Sequence, residues 1–247
     1  MNKQLGPYEI IRKVGQGGMA SVFLVRHEGS KQEFALKIMT GPAASEPHYR
    51  AAFWREAQSV ARLTHPHIVG IHDVGIVPAD PEIPDFLQVE APFIVMEYVP
   101  HGTLESRTFD MDWVAFRIVL LQLLDALANA HAHGVIHRDL KPANILISNS
   151  ERLQVKISDF GISRLTDETH GNALVEDRIK GTPRFMAPEQ IRGLVREQGP
   201  WTDLYSLGAM AWGVACGVAP FQGDSTQVLS DHLWTPLPPF APTFLLP

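Results

Sequence analysis

The sequence predicts an α+β protein with two lobes: a small β-rich N-lobe with one main helix, at about residues 1–99, and a mainly helical C-lobe, at about residues 100–247. Within the first forty residues, runs of β-branched and aromatic side chains flank the glycine-rich turn at residues 15–18, a pattern typical of strands. Apolar residues then recur at helical spacing in residues 48–63 and again after His101, which indicates helices.

Composition and charge exclude several classes of protein. The 247-residue chain has a formal net charge of −6 and no block of lysine or arginine, so a nucleic-acid partner is not expected. The only cysteine, Cys216, excludes an internal disulfide framework, and a reducing, cytoplasmic compartment is expected. The first seven residues lack the apolar stretch of a signal peptide. We therefore expect a cytoplasmic globular protein.

Two long apolar runs raise the question of a membrane span. Residues 113–130 are interrupted by Arg117, Gln122 and Asp125, and we predict an amphipathic helix that begins after a cap at Asp112 and ends near His133. Residues 204–221 carry no charge, and about 18 apolar residues is the lower limit for a span. The adjacent Asp203 favours a buried core helix instead.

The N-lobe carries a lysine and a glutamate in defined positions. Strand alternation in residues 34–38 places Ala35 and Lys37 on the same face. The opposite face is apolar and comprises Phe34, Leu36 and Ile38. In the helix at residues 48–63, Glu56 lies at the edge of the inner stripe, where a carboxylate requires a cationic partner. The stripe comprises Phe53, Ala57, Val60 and Thr64. We predict a solvated loop at residues 77–92, which contain four prolines.

The most informative feature is a pair of polar segments in the C-lobe. Residues 137–144 read His-Arg-Asp-Leu-Lys-Pro-Ala-Asn, and Asp-Phe-Gly follows at residues 159–161. Asp139 is suited to accept a proton from an attacking hydroxyl, and Lys141 to reach a transferring phosphoryl group. Asn144 and Asp159 are suited to bind divalent ions. Phosphoryl transfer depends on positioning and electrostatics, so these residue types suffice for it.

These two segments resemble the catalytic loop and the metal-binding loop of protein kinases. The resemblance covers residues 8–234, with the motifs in the same order and spacing. Lys141, two residues after Asp139, is the form found in Ser/Thr kinases. Residues 17–22 and 187–190, Gly-Gly-Met-Ala-Ser-Val and Ala-Pro-Glu-Gln, are most similar to the eukaryotic-type Ser/Thr kinases of bacteria.

The resemblance implies a binding site for ATP and Mg²⁺, with Mn²⁺ as a substitute. Lys37 and Glu56 would form the ion pair that positions the α- and β-phosphates, and with Asp139 and Lys141 they complete the catalytic set. Asn144 and Asp159 would be the metal ligands. The residues implied in ATP binding are Val14, Gly15, Gly17, Val22, Ala35, Lys37, Met96, Glu97, Val99 and Leu146. Taken alone, Lys37 would by default be a strand lysine whose ammonium group reaches water, and Glu56 an ordinary acid on a helix surface. The glycines alone would indicate only a hairpin turn.

The resemblance also assigns an activation segment. Arg138 would answer a negative group on that segment, and Thr182 would bond Asp139 and Lys141. His137 would be structural, packed under Phe160, and Asp203 would brace the catalytic loop. Glu189 would pair with an arginine, yet no arginine follows Arg196. The family usually continues with two or more helices after residues 224–234, so the resemblance predicts a C-lobe that is incomplete at its end.

The function implied is a Ser/Thr protein kinase that transfers the ATP γ-phosphoryl group to protein substrates and to itself. The alternative is a pseudokinase, a nucleotide-binding or scaffold module that keeps the fold without the activity. A small-molecule kinase is disfavoured, because residues 181–189 resemble a platform for protein substrates. The expected partners are protein substrates, a second copy of the chain, and a membrane tether outside this chain.

Overall fold

A computed structural model describes residues 4–17, 20–41, 44, 46–80, 83–84, 86–106, 111–160 and 183–245. The chain divides into two compact units, Met1–Thr64 with Val69–Val99, and His65–Ile68 with Pro100–Pro247. Within the described residues, the first unit is β-rich with one α-helix and the second is mainly helical, so the predicted α+β fold class is confirmed. The first unit contains β1 (Gln4–Leu5), β2 (Tyr8–Gln16), β3 (Ala20–His27), β4 (Glu33–Met39), α1 (Pro47–Ala61), β5 (Ile71–Ile76) and β6 (Pro92–Glu97).

The strands of the first unit form one antiparallel sheet in the order β1-β2-β3-β4-β6-β5. The apolar face predicted for β4 is buried, with Phe34, Leu36 and Ile38 each at most 4% exposed. Lys37 lies on the other face, opposite Val22 of β3 and Ile94 of β6. Period-2 alternation therefore positions this lysine as expected.

Helix α1 packs on β5 and β6 through the stripe that its periodicity predicts. Pro47 occupies the first turn, where the missing N–H costs nothing. Phe53, Ala57 and Val60 are buried, and Glu56 is half-buried beside them. Thr64, the fourth predicted member, lies beyond the end of the helix at Ala61.

The loop between β5 and β6 is exposed in part, as predicted, but several of its residues are buried and anchored, and for these the prediction of a solvated loop was wrong. Val77 and Ala91 are fully buried, and the Val77 N–H donates to the Ala91 carbonyl at 2.9 Å. The Gln88 side chain accepts from the Gly41 N–H at 3.1 Å and donates to the Gly41 carbonyl at 3.0 Å. These bonds satisfy backbone groups that would otherwise need water.

The second unit is built around two long helices and a small hairpin. Its elements are α2 (Trp113–Ala132), β7 (Ile145–Asn149), β8 (Gln154–Ile157), α3 (Pro188–Ile191), α4 (Pro200–Cys216) and α5 (Ser225–Trp234). Asp112 caps α2 as predicted, accepting from the Ala115 N–H at 2.8 Å. The Gln122 side chain joins α2 to β8, because it accepts from Val155 N–H at 2.9 Å and donates to the Leu153 carbonyl at 3.0 Å.

The two apolar runs are α2 and α4 of this unit. Helix α4 buries Leu207, Met210 and Val214, consistent with the predicted core helix. It ends at Gly217, whose φ of 72° is the left-handed conformation that glycine adopts readily. Within the described residues, α2 is the one helix long and apolar enough to cross a membrane by length and composition. This is weak evidence, because core helices of soluble proteins share these properties.

The proline-rich segment that follows α5 packs back onto the helices without regular structure, as its prolines predict. The Thr243 N–H donates to the Ala215 carbonyl at the end of α4, at 2.8 Å. Phe240 makes an edge contact with Trp212, with ring centroids 5.1 Å apart. Phe244 lies 5.4 Å from the Phe116 ring at the start of α2. The segment thus links the ends of α2 and α4.

We predict that Phe244→Ala lowers the free energy of unfolding by about 1–3 kcal/mol, because it removes aromatic contact area from the start of α2. Urea unfolding monitored by circular dichroism measures the change. The matched control is Leu245→Ala, since Leu245 is 93% exposed, and its effect should stay within about 0.5 kcal/mol. Equal effects of the two substitutions would show that the segment contributes nothing to stability.

Candidate active site

One buried carboxylate, on α4, fixes the segment that joins α2 to β7. Asp203 on α4 is 0% exposed. Its Oδ2 accepts from the His137 N–H at 2.9 Å and from His131 Nε2 at 2.7 Å. Its Oδ1 accepts from the Arg138 N–H at 2.8 Å. Asp203 therefore braces the loop, as the resemblance implied.

The surroundings of Asp203 favour its ionised form. Burial alone raises the pKa of a carboxyl group, because it removes water from the charge. The hydrogen bonds from the His131 side chain and from the backbone N–H groups of His137 and Arg138 outweigh burial and lower the pKa below its usual value. The loop is consequently bonded to a charged acceptor, which makes stronger hydrogen bonds than a neutral one.

His137 acts as a structural residue. It is 0% exposed, and its ring lies 4.7 Å from the Phe160 ring. The Asp139 N–H donates to His137 Nδ1 at 3.1 Å, so Nε2 carries the proton and donates to the Ser158 carbonyl at 2.8 Å. One imidazole thereby joins the segment containing Asp139 to the segment containing Asp159.

The Asp139 carboxylate is oriented by two donors on one oxygen. Lys141 Nζ lies 2.8 Å from Asp139 Oδ2, and Asn144 Nδ2 donates to the same atom at 3.1 Å. Asn144 Nδ2 also donates to the Asp139 main-chain carbonyl at 2.7 Å. The preceding residue, Arg138, has a φ of 64°, an unfavourable conformation for a side-chain-bearing residue. Several contacts therefore determine the direction of this carboxylate.

Asn144 and Asp159 supply oxygen atoms suited to a hard divalent cation. The Ser158 N–H and Oγ both donate to the Asn144 carbonyl, at 2.9 Å and 3.0 Å. Asp159 is the next residue after Ser158, so these bonds hold the backbone next to Asp159 against Asn144. No cluster of three or more His, Cys, Asp or Glu that could bind a metal lies within the described ranges. A Mg²⁺ that shares its ligands with nucleotide phosphates needs only one or two side chains. The donor set fits such an ion.

In the first unit, the register brings several predicted ATP-binding residues to one face of the sheet. Val22 lies opposite Lys37 and Gly15, and Ala35 lies opposite Met96. Directly opposed residues point to the same side of a sheet. The remaining predicted residues of this unit, Val14, Gly17, Glu97 and Val99, lie on or beside these strands, and Leu146 lies on β7 of the second unit. The Lys37–Glu56 ion pair stays a prediction.

The part of the activation segment that the structure describes contains two contacts that sequence reasoning missed. The Thr202 hydroxyl donates to Glu189 Oε1 at 2.5 Å, so a hydroxyl bonds the carboxylate for which the sequence offers no pairing arginine after Arg196. Gln190 donates to the Arg138 carbonyl at 2.7 Å. Burial and the nearby Glu189 raise the pKa of Tyr205. Thr182 and Gly161 lie outside the described residues.

A small cavity adjoins Asp139. It has a volume of about 30 Å³ and is lined by Arg138, Asp139, Leu140, Lys141, Phe185, Met186, Gln190 and Ser206. Residues of the catalytic segment thus meet residues at the end of the activation segment. One sequence signal could have identified Gln190. It lies three residues after Ala187, the cap of the short helix α3, and a glutamine at this position commonly bonds the backbone of the cap residue.

We expect Asp203→Asn to make the free energy of unfolding less dependent on pH in the acid range. The lowered pKa means that the ionised form contributes its full stabilisation above about pH 4, the unfolded-state value, and loses it as the pH falls through the folded-state pKa. At pH 7 the variant should lose about 3 kcal/mol of unfolding free energy, and the difference from wild type should shrink below about pH 4.

Urea titrations at several pH values measure this difference. Asp224→Asn is a control, because Asp224 caps α5 by accepting from Gln227 N–H at 2.9 Å and asparagine caps equally well. A difference between wild type and Asp203→Asn that stays constant down to pH 2 would contradict the assignment.

Comparison with known proteins agrees with this geometry. The sequence model of the protein kinase domain family matches residues 8–236 of this chain. The serine/threonine-protein kinase PknB of Mycolicibacterium smegmatis is 37% identical over 237 residues, 94% of this chain and 36% of that protein. The probable PknB of Bifidobacterium longum is 35% identical over 235 residues, 91% of this chain and 32% of that protein. The chain thus spans about a third of the length of these relatives.

Solved structures give the same result. The PknI kinase domain of Mycobacterium tuberculosis superposes with a TM-score of 0.67 at 25% identity, covering 90% of this chain and 77% of that one. Rad53 in complex with AMP-PNP superposes with a TM-score of 0.68 at 28% identity, covering 91% of this chain and 52% of that one. Sequence and fold agree, and the chain belongs to the protein kinase family.

Proposed function

We propose that this chain is an ATP-dependent protein kinase that transfers the γ-phosphoryl group to serine and threonine hydroxyls of proteins. The observation that carries the proposal is the Asp139 carboxylate, oriented by Lys141 at 2.8 Å and Asn144 at 3.1 Å. A base in a fixed direction beside a lysine suits in-line phosphoryl transfer. The proposal treats residues 1–247 as one kinase domain with an N-lobe to about residue 99.

In this proposal, Asp139 accepts the proton of the attacking hydroxyl. Lys141 bonds Asp139 Oδ2 at 2.8 Å and lies within reach of a transferring phosphoryl group bound beside it. Its ammonium charge would stabilise the negative charge that develops during transfer. Neither residue forms a covalent intermediate, because positioning and charge are sufficient for this reaction.

The nucleotide would be bound mainly by residues of the first unit. Lys37, paired with Glu56, would contact the α- and β-phosphates, and the glycine-rich turn with Gly15 and Gly17 would lie over them. Main-chain atoms of Glu97 and Val99 would hydrogen-bond the base, with Met96 as gatekeeper. The Rad53 structure contains AMP-PNP, an ATP analogue, which supports a nucleotide ligand for this fold.

Asn144 and Asp159 would bind Mg²⁺, or Mn²⁺ in its place. The bound ion supplies positive charge that neutralises the phosphoryl group during transfer. The bonds from Ser158 to the Asn144 carbonyl, at 2.9 Å and 3.0 Å, keep the two ligand-bearing segments together. The Asn144 amide is oriented by its bonds to Asp139, so its oxygen points away from that residue.

Serine and threonine specificity is supported by Lys141 and by relatives that carry the name serine/threonine-protein kinase. Thr182 would bond Asp139 and Lys141 on the substrate side. Arg138 would answer a negative charge on the activation segment, and Glu189 would fix the end of that segment through Thr202. A cytoplasmic location and self-association are part of the proposal.

Asp139→Asn and Asp159→Asn should each lower the rate of phosphoryl transfer by at least about a hundredfold, because they remove the proton acceptor and a metal ligand. Incorporation of labelled phosphate from ATP into a generic acceptor protein measures the rate at saturating Mg²⁺. Asp112→Asn is the matched control, since asparagine also caps α2. Near-normal turnover by purified Asp159→Asn would contradict the mechanism. An inactive wild type would favour the pseudokinase alternative.

Autophosphorylated protein should contain phosphoserine and phosphothreonine and no phosphotyrosine. The reason is the Ser/Thr form of the catalytic loop, with Lys141 two residues after Asp139. Acid hydrolysis followed by phosphoamino-acid analysis distinguishes the three. A product that is mainly phosphotyrosine would refute the proposed specificity.

A further inference from the structure

Gln190 joins two segments of the second unit that are far apart in the sequence. Its Oε1 accepts from the Ala187 N–H at 3.0 Å, at the start of α3. Its Nε2 donates to the Arg138 main-chain carbonyl at 2.7 Å. The side chain is half-buried and lines the same cavity as Asp139 and Lys141. It thus contacts the residue that precedes the proposed base.

The orientation of the Gln190 carboxamide is determined by its partners. The Ala187 N–H can only donate and the Arg138 carbonyl can only accept. The oxygen must therefore face Ala187 and the nitrogen must face Arg138. Reversing the amide would lose both bonds and place like groups together.

The bond to Arg138 acts on the peptide group that links Arg138 to Asp139. This planar group has its oxygen bonded to Gln190 and its N–H bonded to His137 Nδ1 at 3.1 Å. The orientation of this plane determines the position of the Asp139 Cα and therefore the direction of its carboxylate. Arg138 has a φ of 64°, and such a conformation persists only where surrounding contacts determine it.

We propose that Gln190 is a positioning residue for Asp139: it fixes the Arg138–Asp139 peptide plane and, through its bond to Ala187, links that plane to the end of the activation segment. The inference rests on the proposed function of Asp139. Gln190 does not touch the reacting groups, so its effect is on the orientation of the base. Asp203 fixes the N–H side of this turn at Arg138, and Gln190 fixes the carbonyl side.

Other side chains cannot make both bonds. Methionine has a similar length but neither the donor nor the acceptor. Glutamate keeps the acceptor for Ala187 and loses the donor for Arg138, so it separates the capping bond from the positioning bond. Asparagine is one methylene shorter and cannot span both partners from the same backbone position.

The test compares Gln190→Met with Gln122→Met. Gln122 is a matched control, because it also bridges a backbone N–H and a backbone carbonyl, at 2.9 Å and 3.0 Å, but between α2 and β8. Both variants should lower the melting temperature. Gln190→Met should lower kcat by about 10- to 100-fold with KM for ATP unchanged, whereas Gln122→Met should leave both constants near wild type. Gln190→Glu should resemble Gln190→Met, because it lacks the donor.

A double-mutant cycle tests whether Gln190 acts through Asp139. In the Asp139→Asn background, Gln190→Met should have no further effect on kcat, since the base that it positions is already absent. Full additivity of the two substitutions, or equal kcat values for Gln190→Met and wild type, would overturn the inference while the proposed function stood.

Hydrogen exchange at the Asp139 amide tests the same inference without catalysis. This amide bonds to His137 in the peptide group that Gln190 orients. Gln190→Met should accelerate its exchange at least about tenfold relative to Gln122→Met, since a free peptide plane opens more often. Equal exchange in the two variants would overturn the inference. If the wild type transferred no phosphate, the proposed function would fail and exchange would still decide the role of Gln190.

Discussion

The second unit depends on one buried interaction, the carboxylate of Asp203 with its three donors. A carboxylate without contact to water is costly unless several hydrogen bonds replace its hydration. Asp203 meets this requirement with two consecutive backbone N–H groups and the His131 ring. Because the donors belong to α2 and to the loop before Asp139, their bonds fix the loop to α2 and α4 together. The left-handed turn at Arg138 follows from this arrangement.

From that turn, a series of hydrogen bonds extends to the proposed base, Asp139, and to the proposed metal ligand Asn144. His137 links the Asp139 amide to the Ser158 carbonyl, and Ser158 in turn bonds the Asn144 carbonyl. Asn144 then returns to Asp139 through its side chain. This closed circuit orients the proposed base and one proposed metal ligand, and it joins both to Ser158, the residue before Asp159. A buried polar network of this kind stabilises the structure when its members are hydrogen-bonded.

Local patterns predicted much of this protein, because their causes lie within a few residues. Alternation placed Lys37 and Ala35 on one face of β4. Asp112 caps α2 because its carboxylate accepts from a free N–H group of the first turn. The residues of the catalytic segment were recognised from residue type and spacing. Their bracing by Asp203, 66 residues from His137, came from family resemblance and not from any periodicity.

Contacts between distant segments escaped prediction for a physical reason. Gln88 anchors its loop through Gly41, 47 residues away, and Gln190 reaches Arg138 across 52 residues. A glutamine has no strong preference for one environment, so its sequence position does not reveal its partners. Glu189 illustrates the same limit: the sequence offers no arginine for the pairing that the family shows, and the structure places the Thr202 hydroxyl beside this carboxylate. Side-chain bonds to backbone groups depend on the completed fold.

The most direct test of this account is the ionisation state of Asp203. Carbon-13 NMR of the side-chain carboxyl groups, assigned by comparison with Asp203→Asn, follows each aspartate through an acid titration of the folded protein. We predict that the Asp203 signal remains that of a carboxylate below about pH 3.9, where unperturbed aspartates take up protons. A signal that titrates at or above that value would mean that the loop is not bonded to a charge, and would contradict the central role given to this residue.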